Sequence, residues 1–209
     1  RFYAIPMRAR LEIPASGSVN QDPLVNLSWR SGREAAQHEV LVGTDPDALS
    51  LLATTDDAAY TASLDLDRTL YWQVNEVNDA MDPAVWEGHL WEMATAAYIT
   101  VDDMESYQSR EGSYVWETWV DGFDDDTNGA LLGHNGDDME TDAVYDGDQS
   151  LPYYYGQGAA GSSEASRNID RDWGQHGVVS ISLMFYGAAS NVAGEMYLKV
   201  NGDKIATYP

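Results

Sequence analysis

The stretch TLYWQVNEV, residues 69 to 77, constrains the fold more than any other part of this chain. Successive side chains of an extended strand point to opposite faces, so Leu70, Trp72, Val74 and Glu76 share one side. Tyr71, Gln73, Asn75 and Val77 take the other. Similar runs flank it: LVNLSW (24–29), HEVLVG (38–43), a short strand within TDPDALSLLAT, and VWEGHLWEMAT (85–95). Turn residues separate them at roughly 8–12-residue intervals, the pattern of an antiparallel sandwich. No apolar repeat of helical period is sustained.

From YITVDDMESY (98–107) onward the composition changes but not the class. VDDMESY, YVWETWVDGF, METDAVYDGDQSLPYYY, GVVSISLMFYG and MYLKVNG read as strands between Gly-rich loops. The expectation is an all-β chain of two β-sandwich domains, residues 1–98 and 99–209.

With 44% hydrophobic residues, 13 Tyr and 7 Trp, the 209-residue chain has the makings of packed cores. No apolar run approaches the roughly 20 residues that span a bilayer as a helix. The chain opens at RFYAIPMRAR, without an initiating Met, and is read as a processed piece of something longer. Its formal net charge of -24, from 35 acidic and 11 basic residues, argues against nucleic acid, whose phosphates demand Lys and Arg. Such a surface suits salty water, divalent cations or basic partners. The absence of Cys removes disulfides, thiolate catalysis and zinc-thiolate sites.

Negative charge is densest in DGFDDDTNGALLGHNGDD, residues 121 to 138, which contains no Lys or Arg. Asp124, Asp126, Asn128 and Gly129 fit D-x-D-x-N-G, the start of a calcium loop in which alternate oxygens converge on one hard cation. Asn135 stands at the twelfth position in place of Glu, leaving Asp137, Asp138 or Glu140 to complete a shell. At ~5 Å and an effective dielectric of ~20, two like charges repel by on the order of 3 kcal/mol before screening. Structural Ca2+ would relieve that repulsion; a solvated loop is the alternative.

PASGSVNQDPLVNLSW, HEVLVGTDPDAL, LDRTLYWQVNEVND and VWEGHLWEMAT, in that order, resemble a fibronectin type III domain of the kind found in large secreted planctomycete-type bacterial proteins. Trp29 matches its early core Trp and Tyr71 its corner Tyr. The second half resembles a galactose-binding-like jelly roll, a carbohydrate-binding-module architecture, through Val101 to Ser106 and through Val144, Gly147, Ser150 and Leu151. That resemblance implies a second calcium set, Asp103 and Glu105 with Asp146 and Asp148. It also implies strands beyond KIATYP, so the jelly roll is expected to be truncated. The missing strands would come from the rest of a precursor or from a neighbouring copy.

Sugar recognition needs flat aromatic faces and planar polar groups. The candidates are Trp116, Trp119, Tyr153, Tyr155 and Trp173, with Arg167 and Glu164 as polar partners. On a strand Trp116 and Trp119 would face opposite ways, one of them into the core, whereas Tyr153 and Tyr155 would share a face. No zinc-protease, nucleophile-elbow or phosphate-loop motif occurs, and His38, His89, His134 and His176 are scattered. The function expected is therefore non-catalytic: an extracellular or cell-surface module binding polysaccharide with structural calcium. The alternative is an adhesive or filament subunit closed by a neighbour's strand.

Overall fold

The computed structural model describes residues 6–133, 139–156, 160–192 and 194–208. Among them the fold is all-β: the regular elements are strands, apart from two short 3-10 turns at Val115–Glu117 and Trp173–Gln175. Contacts divide the chain into two compact units, Arg1–Asp102 with Asn168–Ser180, and Asp103–Arg167 with Ile181–Pro209.

The first unit contains β1 (Arg10–Ile13), β2 (Ser18–Gln21), β3 (Leu24–Arg30), β4 (Gln37–Gly43), β5 (Ser50–Thr55), β6 (Ala59–Ser63), β7 (Thr69–Val77), β8 (Val85–Trp86) and β9 (Trp91–Thr95). One sheet has the order β1-β3-β6; the other runs β2-β9-β7-β4-β5, with β8 paired to β7. The alternation read from TLYWQVNEV governs β7, since Leu70, Trp72, Val74 and Glu76 are all buried. Val25, Leu27 and Trp29 enter the same core from β3, Val40 from β4, and Trp91 and Met93 from β9. Fully burying each such side chain contributes about 1.5–3 kcal/mol, which makes this face the main source of the unit's stability. Trp72 and Trp91 pack with ring centroids 4.7 Å apart. Tyr71 lies on the opposite face of β7, half-buried.

VWEGHLWEMAT does not form one continuous strand. It breaks into β8 and β9 because the chain at Gly88 crosses close to β7, where an added Cβ would lie 2.1 Å from the Val74 carbonyl oxygen.

Residues 168–180 also belong to this unit. Arg171 forks onto Asp22 with N–O distances of 3.0 and 2.5 Å. Asp172 caps the Trp173–Gln175 turn by accepting from the Gly174 N–H at 2.9 Å. His176 is buried, its Nδ1 3.0 Å from the Leu64 carbonyl oxygen, and its own carbonyl accepts from the Leu66 N–H at 3.1 Å.

The second unit has a smaller apolar centre of Tyr107, Val115, Leu132 and Met139, with Met104, Trp116, Trp119, Leu151 and Ala165 packed on it. Its described strands form two ribbons, β10 (Leu131–Leu132) with β11 (Tyr153–Tyr154), and β12 (Met196–Val200) with β13 (Asp203–Tyr208). Isolated bridges join Val120 to Ser166, Asn128 to Ser162 and Glu140 to Ser150.

Here the expected strands at 101–107, 114–123 and 177–187 do not form, and METDAVYDGDQSLPYYY yields only β11. Short acidic side chains compete for the backbone donors that a ladder would use. Asp103 takes the N–H of Glu105 at 3.1 Å, Asp121 that of Phe123 at 2.9 Å, and Asp125 that of Thr127 at 2.9 Å. Glu140 takes that of Asp142 at 2.6 Å. Glu117 accepts from both Gly112 and Tyr114, which folds YVWETW into a turn.

Candidate functional site

The β12–β13 hairpin turns through Asn201 and Gly202, at φ 53° and 87°. Both values lie in the left-handed region that Asn and Gly tolerate best in tight hairpins. This register sets Lys199 directly opposite Lys204, and these are the only two lysines in the chain. Like charges facing across a ribbon are destabilising, and the surroundings offset the repulsion. The ring of Tyr197 lies 4.0 Å from Lys204 Nζ and 5.3 Å from Lys199 Nζ, both within cation–π range. Lys204 donates to Glu195 at 2.8 Å, and Lys199 donates to Glu164 Oε1.

Glu164 Oε1 also accepts from the Tyr197 hydroxyl at 2.5 Å. Its carboxyl is held below the usual range, chiefly by the bond from Lys199 and then by that from Tyr197. Reciprocally, the bond to Glu164 pushes the Tyr197 phenol up to about 12. Burial raises the Tyr153 phenol, and the charge of Glu164 adds to the shift.

Asn128 holds Glu164 in place. Its Oδ1 accepts from the Glu164 N–H at 2.8 Å and the Ala130 N–H at 3.2 Å, while its Nδ2 donates to the Glu164 carbonyl at 2.8 Å. A residue expected as a metal ligand thus acts as a clamp between the acidic loop and the Glu164 segment.

Tyr153, whose phenol feels the charge of Glu164, borders this cluster, and Tyr155 follows it two residues on. They are 41% and 40% exposed, with Tyr154 between them half-buried, the alternation expected of an extended chain. Each hydroxyl is anchored to a backbone carbonyl: Tyr153 donates to Ser163 at 2.7 Å and Tyr155 to Val192 at 3.0 Å. Both rings therefore keep a solvent-facing surface while their far ends are fixed.

The other aromatic candidates are placed differently. Trp116 and Trp119 both pack on the second unit's apolar centre rather than on opposite faces. A 3-10 turn replaces the expected strand there, and three residues per turn bring positions i and i+3 to one side. Trp116 also stacks on Tyr114, with centroids 4.6 Å apart and planes 12° from parallel. Trp173 lies in the first unit, and Arg167 is half-buried in the second.

The calcium candidates are also located. In the acidic loop, Asp121 accepts from the N–H groups of Phe123 and Leu132, and Asp125 from the N–H and hydroxyl of Thr127. Asp124 and Asp126 are exposed. Asn135, Asp137 and Asp138 lie outside the described residues. In the second set, Glu105 Oε1 accepts from the N–H groups of Asp148 and Gln149 at 3.0 and 3.2 Å. Asp103 accepts from Glu105 N–H and Asp146 from Gly147 N–H. Among the described residues no three His, Asp or Glu side chains are grouped as a metal shell would require.

Compared with protein-family models and with curated proteins, the chain matches none. The sequence alone points to Tyr153, Tyr155 and Glu164 as candidates but not to Tyr197, Lys199 and Lys204, which the structure places around Glu164. The scarcity of lysine was the available signal: two in one hairpin, in a chain this acidic, are conspicuous.

Proposed function

We propose that the chain is a non-catalytic module of a secreted or cell-surface protein, and that its second unit binds polysaccharide against Tyr153 and Tyr155. The observation that carries the reading is the anchoring of both half-exposed rings by their hydroxyls, with Tyr153 near Glu164. Apolar C–H faces of a sugar ring stack on flat aromatic surfaces, and carboxylate and ammonium groups exchange hydrogen bonds with its hydroxyls. Rings already held in place lose little freedom on binding, which raises affinity. The first unit serves as the spacer that its resemblance to fibronectin type III domains implies, a reading supported by its two facing sheets of antiparallel and mixed strands.

Calcium belongs to the proposal as counter-ion of the acidic loop. Asp124 and Asp126 make no hydrogen bond with another described residue, so they are the carboxylates left to share it.

Affinity electrophoresis through gels containing soluble polysaccharides tests the binding. Retardation of the wild-type chain, lost in Tyr153→Ala and Tyr155→Ala, is expected. Equal mobility of wild type and both variants in every gel would remove the proposal.

A further inference from the structure

Between Asp172 and Glu195 the chain carries no Asp, Glu, Lys or Arg, the longest such gap in a sequence with 35 acidic residues. Within it, Ile181–Tyr186 of the second unit reads ISLMFY, rich in residues that favour strands. Yet it forms no strand, and among the described residues its backbone makes no hydrogen bond. Its apolar side chains face solvent: Leu183 is 58% exposed, Met184 55%, Phe185 54% and Tyr186 83%. Phe185 meets Tyr208 of β13 edge to face, centroids 5.4 Å apart, and Ile205 of β13 is exposed as well.

We propose that Ile181–Tyr186 is an interface at which two copies of this chain pair, each segment adding an antiparallel strand to the other about a two-fold axis. Unpaired backbone N–H and C=O groups in an apolar, β-favouring sequence are a template for strand addition. Charge selects the occupant. Two chains of net charge -24 repel wherever their acidic surfaces meet, and this strip has no charge with which to repel a copy or attract a basic partner. An antiparallel pair is also self-complementary, as a two-fold contact demands. In a register centred on Leu183 this residue opposes its own copy across the axis, and Ile181 opposes Phe185.

The interface is independent of glycan binding, and the two readings fail separately. Sedimentation velocity over a concentration series tests it on the whole chain. A monomer–dimer equilibrium that tightens as salt screens the acidic repulsion is expected, weakened at least about tenfold by Leu183→Glu, which sets a carboxylate against its symmetry mate. Ser182→Pro, which removes an N–H and cannot join a ladder interior, should weaken it too. Circular dichroism of both variants separates lost pairing from lost folding. A chain monomeric at every concentration and salt, a dimer indifferent to both substitutions, or growth into open-ended polymers would each overturn the proposal.

Discussion

His38 on β4 and Glu76 on β7 stand directly opposite each other in the ladder, and both are buried in the first unit. His38 Nδ1 meets Glu76 Oε2, and Glu76 Oε1 accepts from the Gly32 N–H at 2.8 Å. The edge of His38 packs on Trp29, with ring centroids 5.3 Å apart. A carboxylate taken wholly out of water is tolerable here because donors meet both of its oxygens.

Removing one partner strands the other. His38→Ala is expected to destabilise the first unit by roughly 3–5 kcal/mol. The double substitution His38→Leu with Glu76→Met, which removes both polar groups, should cost less than His38→Ala. Urea unfolding of the three proteins checks this; a double variant weaker than the single would contradict it.

The Tyr197–Glu164 bond sets a pH dependence whose sign is fixed. Tyr197 ionises at about 12 instead of its ordinary 10.0, so its contribution to stability is fully present below 10 and is lost as pH rises through about 12. Glu164 works the other way: its depressed pKa gives a contribution present above the ordinary value of 4.5 and lost as pH falls below it. Tyrosinate absorbance is expected to show Tyr197 ionising late, with Tyr153 also raised by its burial, and Glu164→Gln should return Tyr197 toward 10. An unchanged titration curve in that variant would count against the geometry of the cluster.

Gly122 fixes the acidic loop. An added Cβ there would lie 2.0 Å from the Asn128 carbonyl oxygen, a backbone atom that cannot swing aside. Gly122→Ala should therefore break the Gly122–Ala130 contact, now 2.8 Å, and open residues 124–127 to limited proteolysis. Through Asn128 the disturbance should reach Glu164, so polysaccharide retention should fall as well. Protease resistance equal to wild type would show that the loop is held otherwise.

Calcium has its own assay. If Asp124 and Asp126 share the ion as proposed, added calcium is expected to raise the melting temperature and a chelator to reverse the gain. The pair Asp124→Asn and Asp126→Asn is expected to abolish the response. A melting temperature unmoved by calcium or chelator would strike calcium from the account.

Legibility in the sequence follows the range of the forces. The buried side of β7 could be read because alternation is local, and Glu76 could be placed on that side. Its partner His38 could not, because pairing across 38 positions is a property of the sheet. In the second unit local cues misled: VDDMESY and YVWETWVDGF have strand-like residues, but Asp103, Glu117 and Asp121 capture neighbouring N–H groups first. Tyr197 and Lys199 join Glu164 from 33 and 35 residues away, which no spacing rule anticipates.

Isothermal titration of soluble polysaccharides into the wild-type chain and into the Tyr153→Ala, Tyr155→Ala double variant asks whether these two rings hold a glycan. Saturable binding of at least one polysaccharide by the wild type is expected, and none by a double variant whose circular dichroism is unchanged. Wild-type affinity retained by that variant would contradict it.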